Sequence, residues 1–124
     1  MRLLLDTNVL LFSLSDDPRL APFRDALEDP ANDVFFSAVS GVEISIKASL
    51  GKLAVPADYL AAVTDQGFAE LPFTAAHAGL VRDLPWHHRD PFDRMIIAQA
   101  LAEGLPVATT DGAFAAYGVT MLDR

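Results

Sequence analysis

The chain has 124 residues, enough for one domain spanning 1–124 that buries roughly 65–70% of its unfolded surface in one core. It contains no cysteine, which excludes disulfides, zinc–thiolate sites and thiol nucleophiles, and no apolar tract approaches the ~18 residues of a membrane span, so a cytoplasmic setting is expected. The formal net charge of −8 has the wrong sign for unaided binding to nucleic acid, which relies on Lys and Arg contacts to phosphate; either the partner is not a polyanion or something cationic intervenes.

The opening MRLLLDTNVLLFSL has the basic residue and apolar tract of a signal peptide, but Asp6, Thr7 and Asn8 interrupt it and no small-residue cleavage site follows. It reads instead as a buried strand over Arg2–Leu5 and a helix over 8–13. A helical pattern at 20–28 leads to a second strand at 34–37, then helices at 40–50 and 57–65. A third strand at 68–71 precedes a helix at 75–84. The apolar spacing Ile96, Ile97, Ala100, Leu101 marks a helix over 92–103 with Gly104 as its C-cap, followed by a fourth strand at 106–109, a short helix at 112–116 and a fifth strand at 119–122. Pro18, Pro22, Pro30, Pro56, Pro72, Pro85 and Pro106 fall at the edges of these elements as breakers. The alternation predicts an α/β fold, a central parallel sheet of four to five strands flanked by helices.

Such a sheet gathers ligands at the carboxyl ends of its strands. Asp6 follows the run RLLL and Asp111 the run PVATT; Glu43 lies early in the helix after the second strand, and Asp93 early in the helix before the fourth. Each acid has a local explanation by itself. Ser40 and Glu43 match a capping box; Asp90, Pro91 and Asp93 fit the N-cap, first and third positions of a helix; Asp6 and Asp111 can cap the helices they precede. The joint pattern is not explained this way, because two carboxylates ~5 Å apart repel by roughly 3 kcal/mol at an effective dielectric near 20. A divalent cation removes that cost, and an all-carboxylate set favours hard ions such as Mg²⁺ or Mn²⁺. It also resolves the charge conflict, since an acidic rim loaded with such an ion can hold a phosphodiester.

These acids and their surroundings, LLLDTNVLL at 3–11, FSAVSGVEISIKASLGKL at 36–53, HHRDPFDRMIIAQALAEGLPVATTDGAF at 87–114 and the closing GVTML, resemble the PIN-domain nucleases, and within them the VapC-type toxins of bacterial toxin–antitoxin pairs. The resemblance runs in order over nearly the whole chain. It implies an endoribonuclease dependent on Mg²⁺ or Mn²⁺ that hydrolyses RNA by in-line attack of water, without a covalent protein intermediate. Carried over residue by residue, Asp6, Glu43, Asp93 and Asp111 are the catalytic and metal-holding acids, with Asp90 as an extra acid. It further implies a homodimer neutralised by a small antitoxin, for which residues 8–28 or 40–65 offer apolar helical surface.

Around the acids, Thr7 and Asn8 are expected to support the turn of Asp6, with Asn8 reaching a metal-held water or a carboxylate, and Thr109 or Thr110 to orient Asp111. Lys47 lies one helical turn beyond Glu43, as an ion pair or a phosphate contact. Arg94 and Arg89 are read as contacts to the RNA backbone or solvated salt bridges, and His87 and His88 as polar loop residues with general-acid chemistry as the alternative. Trp86, Phe92 and Phe114 are read as packing residues of the core or rim, with base-stacking platforms as the alternative. Two other functions compete. A signalling receiver domain needs an acidic pair after the first strand and a phosphoacceptor ending a mid-chain strand; here Asp6 stands alone and Asp58 precedes a helix. A catalytically silent binding module of the same fold is disfavoured by the complete set of acids.

Overall fold

Leu3, Leu4 and Leu5 are all fully buried, which alternating strand geometry permits only where both faces of a sheet are covered. The computed structural model describes residues 1–122 and shows that arrangement. Strand β1 (Arg2–Leu5) pairs in parallel with β2 (Asp33–Ser37) on one side and with β4 (Val107–Ala108) on the other, and β3 (Ala69–Leu71) extends the sheet beyond β2, giving the order β3-β2-β1-β4. Leu3, Leu5, Val34, Phe36 and Ala108 point into one core, with helices α1 (Thr7–Ser15) and α4 (Tyr59–Asp65). Leu4, Phe35 and Val107 point into the other, against Ile96, Ile97 and Ala100 of α6 (Pro91–Glu103). Helix α3 (Ala38–Ser49) contributes to both, Ile44 to the first and Val39 to the second. Helix α5 (Ala75–Asp83) packs against α6.

The main differences from the sequence expectation are three. The helix expected at 20–28 is a 3₁₀ turn, Pro18–Phe23, followed by a short α2, Arg24–Glu28, because Pro22 cannot supply a helical N–H. The helix expected from Ser40 begins at Ala38, directly after β2. The fifth strand is reduced to one parallel bridge between Val107 and Met121, since β4 itself is only two residues long before the chain turns towards the acids. No helix among the described residues is long and apolar enough to cross a membrane.

Candidate active site

Because all the strands run in parallel, their carboxyl ends share one edge, and the strand order reverses beside β1. A crevice forms at such a switch. Asp6 is the first residue after β1 and caps α1, its Oδ1 accepting the Val9 N–H at 2.8 Å. Its Oδ2 accepts the hydroxyl of Thr109, whose oxygen in turn accepts the Asp111 N–H at 3.0 Å. Thr109 is fully buried and ties the end of β1 to the turn after β4, so it orients two acids where the sequence suggested one. Thr110 is exposed.

Asp111 caps the closing 3₁₀ turn, Gly112–Tyr117, through Oδ1, leaving Oδ2 for the Nε2 of His88 at 2.9 Å. The same Nε2 lies 3.0 Å from Asp93 Oδ2. His88 Nδ1 accepts the backbone N–H of Asp90 at 3.1 Å, which places the proton of a neutral ring on Nε2, facing both carboxylates. His88 is therefore part of the cluster rather than a loop residue, a correction to the sequence reading. The spacing His88, Asp90, Asp93 held the only hint, as it brackets one helix start. Tyr117 fixes it further: its hydroxyl accepts the His88 N–H at 2.8 Å, while its ring meets His87 edge-on.

Asp90 caps α6 as expected, its Oδ1 accepting the N–H groups of Phe92 and Asp93, with Pro91 at the first helical position. The Ser40–Glu43 capping box does not form. The cap of α3 is Ser37, whose Oγ accepts the Val39 N–H, so Glu43 lies in the second turn of the helix and its carboxylate is free for the crevice. Ser40 is buried and pairs with Thr7 at 2.8 Å, fastening α3 to the start of α1 one turn before Glu43. Glu43 Oε2 accepts from Lys47 Nζ at 2.6 Å, the ion pair expected from their spacing. Its Oε1 is buried with no hydrogen-bond partner among the described residues.

The electrostatics register the crowding. Burial, with additions from Asp111 and Glu43, pushes Asp6 from its ordinary 3.8 up to about 6 against the lowering effect of its bonds to Thr109 and Val9. Burial together with Asp90, Asp6 and Glu43 pushes Asp93 up to about 7, against the opposing effect of His88. Acids from four separated stretches thus feel one another across one rim.

Arg94 departs from expectation. It is 3% exposed and donates to the carbonyls of Pro85, Val81 and Leu84 and to the Tyr117 hydroxyl, so it is a structural clasp and reaches no solvent-borne phosphate. Its identity as the neighbour of Asp93 suggested surface; its side chain on a helix buried through Ile96–Ala100 did not. Trp86 is the reverse: expected as packing, it is 76% exposed. Phe114 is buried and Phe92 packs on the second core as expected. Asn8 lies exposed and takes no part in the hydrogen bonds that join the acids.

Residues 3–119 match the family model described as PIN domain. The chain belongs to the PIN domain family. Among solved structures, this PIN domain resembles VapBC2 from Rickettsia felis, bound to a DNA fragment from its promoter, at 18% identity over 99% of this chain and 98% of that one, with a TM-score of 0.74. It also resembles DNA-bound VapBC from Salmonella typhimurium, at 24% identity over 99% and 98% with a TM-score of 0.71. FitAcB from Neisseria gonorrhoeae is similar at 28% identity over 99% and 97%, with a TM-score of 0.66. No curated protein matches the sequence. PIN domains are generally nucleases that use divalent metal ions. The acid cluster of this one fits such an ion: its donors are carboxylate oxygens and, among the described residues, Glu43 Oε1 is buried and unpartnered and the raised Asp6 and Asp93 form no ion pair with an arginine.

Proposed function

We propose that this PIN domain is a Mg²⁺- or Mn²⁺-dependent endoribonuclease and the toxin of a VapBC-type pair. The observation that carries the reading is the unpartnered Glu43 Oε1 facing a rim on which Asp6 and Asp93 are held well above the ordinary carboxylate range. Asp6, Glu43, Asp93 and Asp111 would hold the cation, with Asp90 kept at the helix cap. Bound there, a divalent ion supplies charge neutralisation for the phosphodiester and for the oxygen that leaves.

The side chains supply position. Asp6 is fixed at both oxygens, by Val9 and Thr109, so it enters the reaction already oriented. Lys47 steadies Glu43 Oε2 and leaves Oε1 for the ion. Asp93 and Asp111, whose oxygens lie within 4.8 Å of each other and of His88 Nε2, accept hydrogen bonds from the attacking water and aim it at phosphorus. Water adds its oxygen to phosphorus as the bond to the leaving ribose oxygen breaks, giving a phosphate monoester and a hydroxyl end.

The similarity to VapBC structures supports a small antitoxin as partner. Val42 and Ile46 on α3 and Leu50 at its C-cap form an exposed apolar stripe, joined by Leu60 of α4, and supply the contact for a homodimer. The test is cleavage of RNA with Mg²⁺ or Mn²⁺, in parallel with EDTA and with D6N and D93N chains. Cleavage is expected only with the ion and the unaltered acids. Cleavage that persists in EDTA or in both variants contradicts the site, and inertness towards every RNA with the ion bound makes the chain a binding module.

A further inference from the structure

Beside the acidic rim lies a second feature that the cluster leaves unused. A shallow cleft of about 460 Å³ is lined by Val81, Arg82, Trp86, Arg89, Met95 and the buried Arg94. The Arg94 guanidinium sits 3.8 Å from the centre of the Trp86 ring, and its bonds to three carbonyls and a hydroxyl hold it there. The indole is thus backed by a fixed cation yet three-quarters exposed. A large aromatic left in water costs burial that a folded chain ordinarily recovers. Arg82 and Arg89 are exposed, and neither makes an ion pair among the described residues, in a chain whose net charge is −8. An aromatic face between two unpaired arginines complements a planar ring that carries phosphate, which describes a nucleotide and not an apolar protein surface. Its distance from the acids is bounded by the chain. Trp86 is two residues before His88, so their Cα atoms lie within about 8 Å, and Arg89 precedes Asp90 directly.

We propose that Trp86 is a stacking platform for an unpaired base of the RNA whose phosphodiester lies on the acidic rim, with Arg82 and Arg89 holding the adjoining phosphates. This rests on the nuclease reading above and adds a determinant of substrate form: a strand with its bases free is gripped, whereas a duplex, whose bases are already stacked, is not. It also supplies cationic grip in a chain short of it.

Trp86 is the chain's single tryptophan, so its emission reports the platform directly. The unaltered chain is titrated with a single-stranded RNA of about ten nucleotides, with Ca²⁺ as the ion, and gels of the same samples follow cleavage. Anisotropy of an end-labelled copy measures binding independently. The expected result is saturable quenching that follows the anisotropy curve and is absent with an abasic strand of equal length. W86L is expected to weaken binding by about tenfold, with its melting temperature unchanged, and W86F to restore part of it. Binding without quenching, or W86L binding as tightly as the unaltered chain, overturns the platform. A blue shift that depends on protein concentration and not on RNA overturns it too, by showing the indole covered by a second copy. If RNA is cut in Mg²⁺ while the indole stays silent, the platform fails and the nuclease reading stands; if no RNA is bound or cut, both fail.

Discussion

Acids occur in two kinds of place in this molecule, and their surroundings are opposite. In the turn after α1, Asp17 is bound by Arg19 at 2.7 Å, and Arg24 reaches both Asp16 and Glu28. These groups are at the surface, and the bonds from Arg19 hold Asp17 down at about 2. At the carboxyl edge of the sheet, Asp6 is buried with no arginine paired to it among the described residues and stands at about 6, and Asp93 at about 7. Arg94, the arginine next to Asp93, faces away into carbonyls. A fold that needed these carboxylates only as caps would gain by neutralising them as it does Asp17. Cavity size does not mark the rim: a hollow of about 560 Å³ adjoins Asp16, Arg24 and Glu28 instead.

The comparison is broken most severely by removing an acid from the rim. D6N and D93N are expected to lower RNA cleavage about a thousandfold or more, the loss of several kcal/mol of charge stabilisation, while circular dichroism stays native; D17N should cleave normally. Next in size is R94A, which removes the buried donor shared by the carbonyls of Pro85, Val81 and Leu84 and should destabilise the fold by about 3 kcal/mol in urea unfolding. Surface pairs such as Arg19–Asp17 have no such cost, and R19A is expected to change stability by less than about 1 kcal/mol.

Addition of Mg²⁺ or Mn²⁺ to the cation-free chain should raise its melting temperature by several degrees at saturation, as binding to the folded state alone requires, and D6N should lose the shift while D17N keeps it. The pH dependence sharpens the same point. Asp6 and Asp93 are raised from 3.8 to about 6 and about 7, so the folded chain binds their protons more tightly than the unfolded chain does. The stability this gives is complete below pH about 4 and is lost as pH rises through 6 to 7. Without divalent ions, D93N should therefore melt higher than the unaltered chain at pH 8, and the difference should vanish at pH 4. The smallest effect is expected for K47M. It frees Glu43 Oε2 and should lower stability by about 1 kcal/mol, a loss that Mg²⁺ reverses.

Much of this contrast was legible in the residues. Apolar runs ending in Asp6 and Asp111 placed both at the carboxyl edge, and DPFD before an apolar stripe gave the cap at Asp90 and the position of Asp93. What escaped was set by contacts between distant segments. Ser40 has the chemistry of an N-cap, but Ser37, held also by Gln99, starts the helix earlier and releases Ser40 to Thr7. Beyond its spacing from Asp90 and Asp93, little local to His88 distinguishes it from His87; the difference is that Tyr117 and Asp90 turn one ring towards the acids and leave the other on the surface. Arg94 and Trp86 exchanged their expected roles because a guanidinium can be buried when four acceptors surround it, and an indole can be left outside when a cation supports it from beneath.

The most direct measurement is calorimetric titration of Mn²⁺ into the cation-free protein at pH 7.5 or so, repeated with D6N, D93N and E43Q. The account predicts saturable uptake with release of protons from the raised carboxyls, weakened at least tenfold by each change. Absence of uptake, or uptake indifferent to all three, would contradict it.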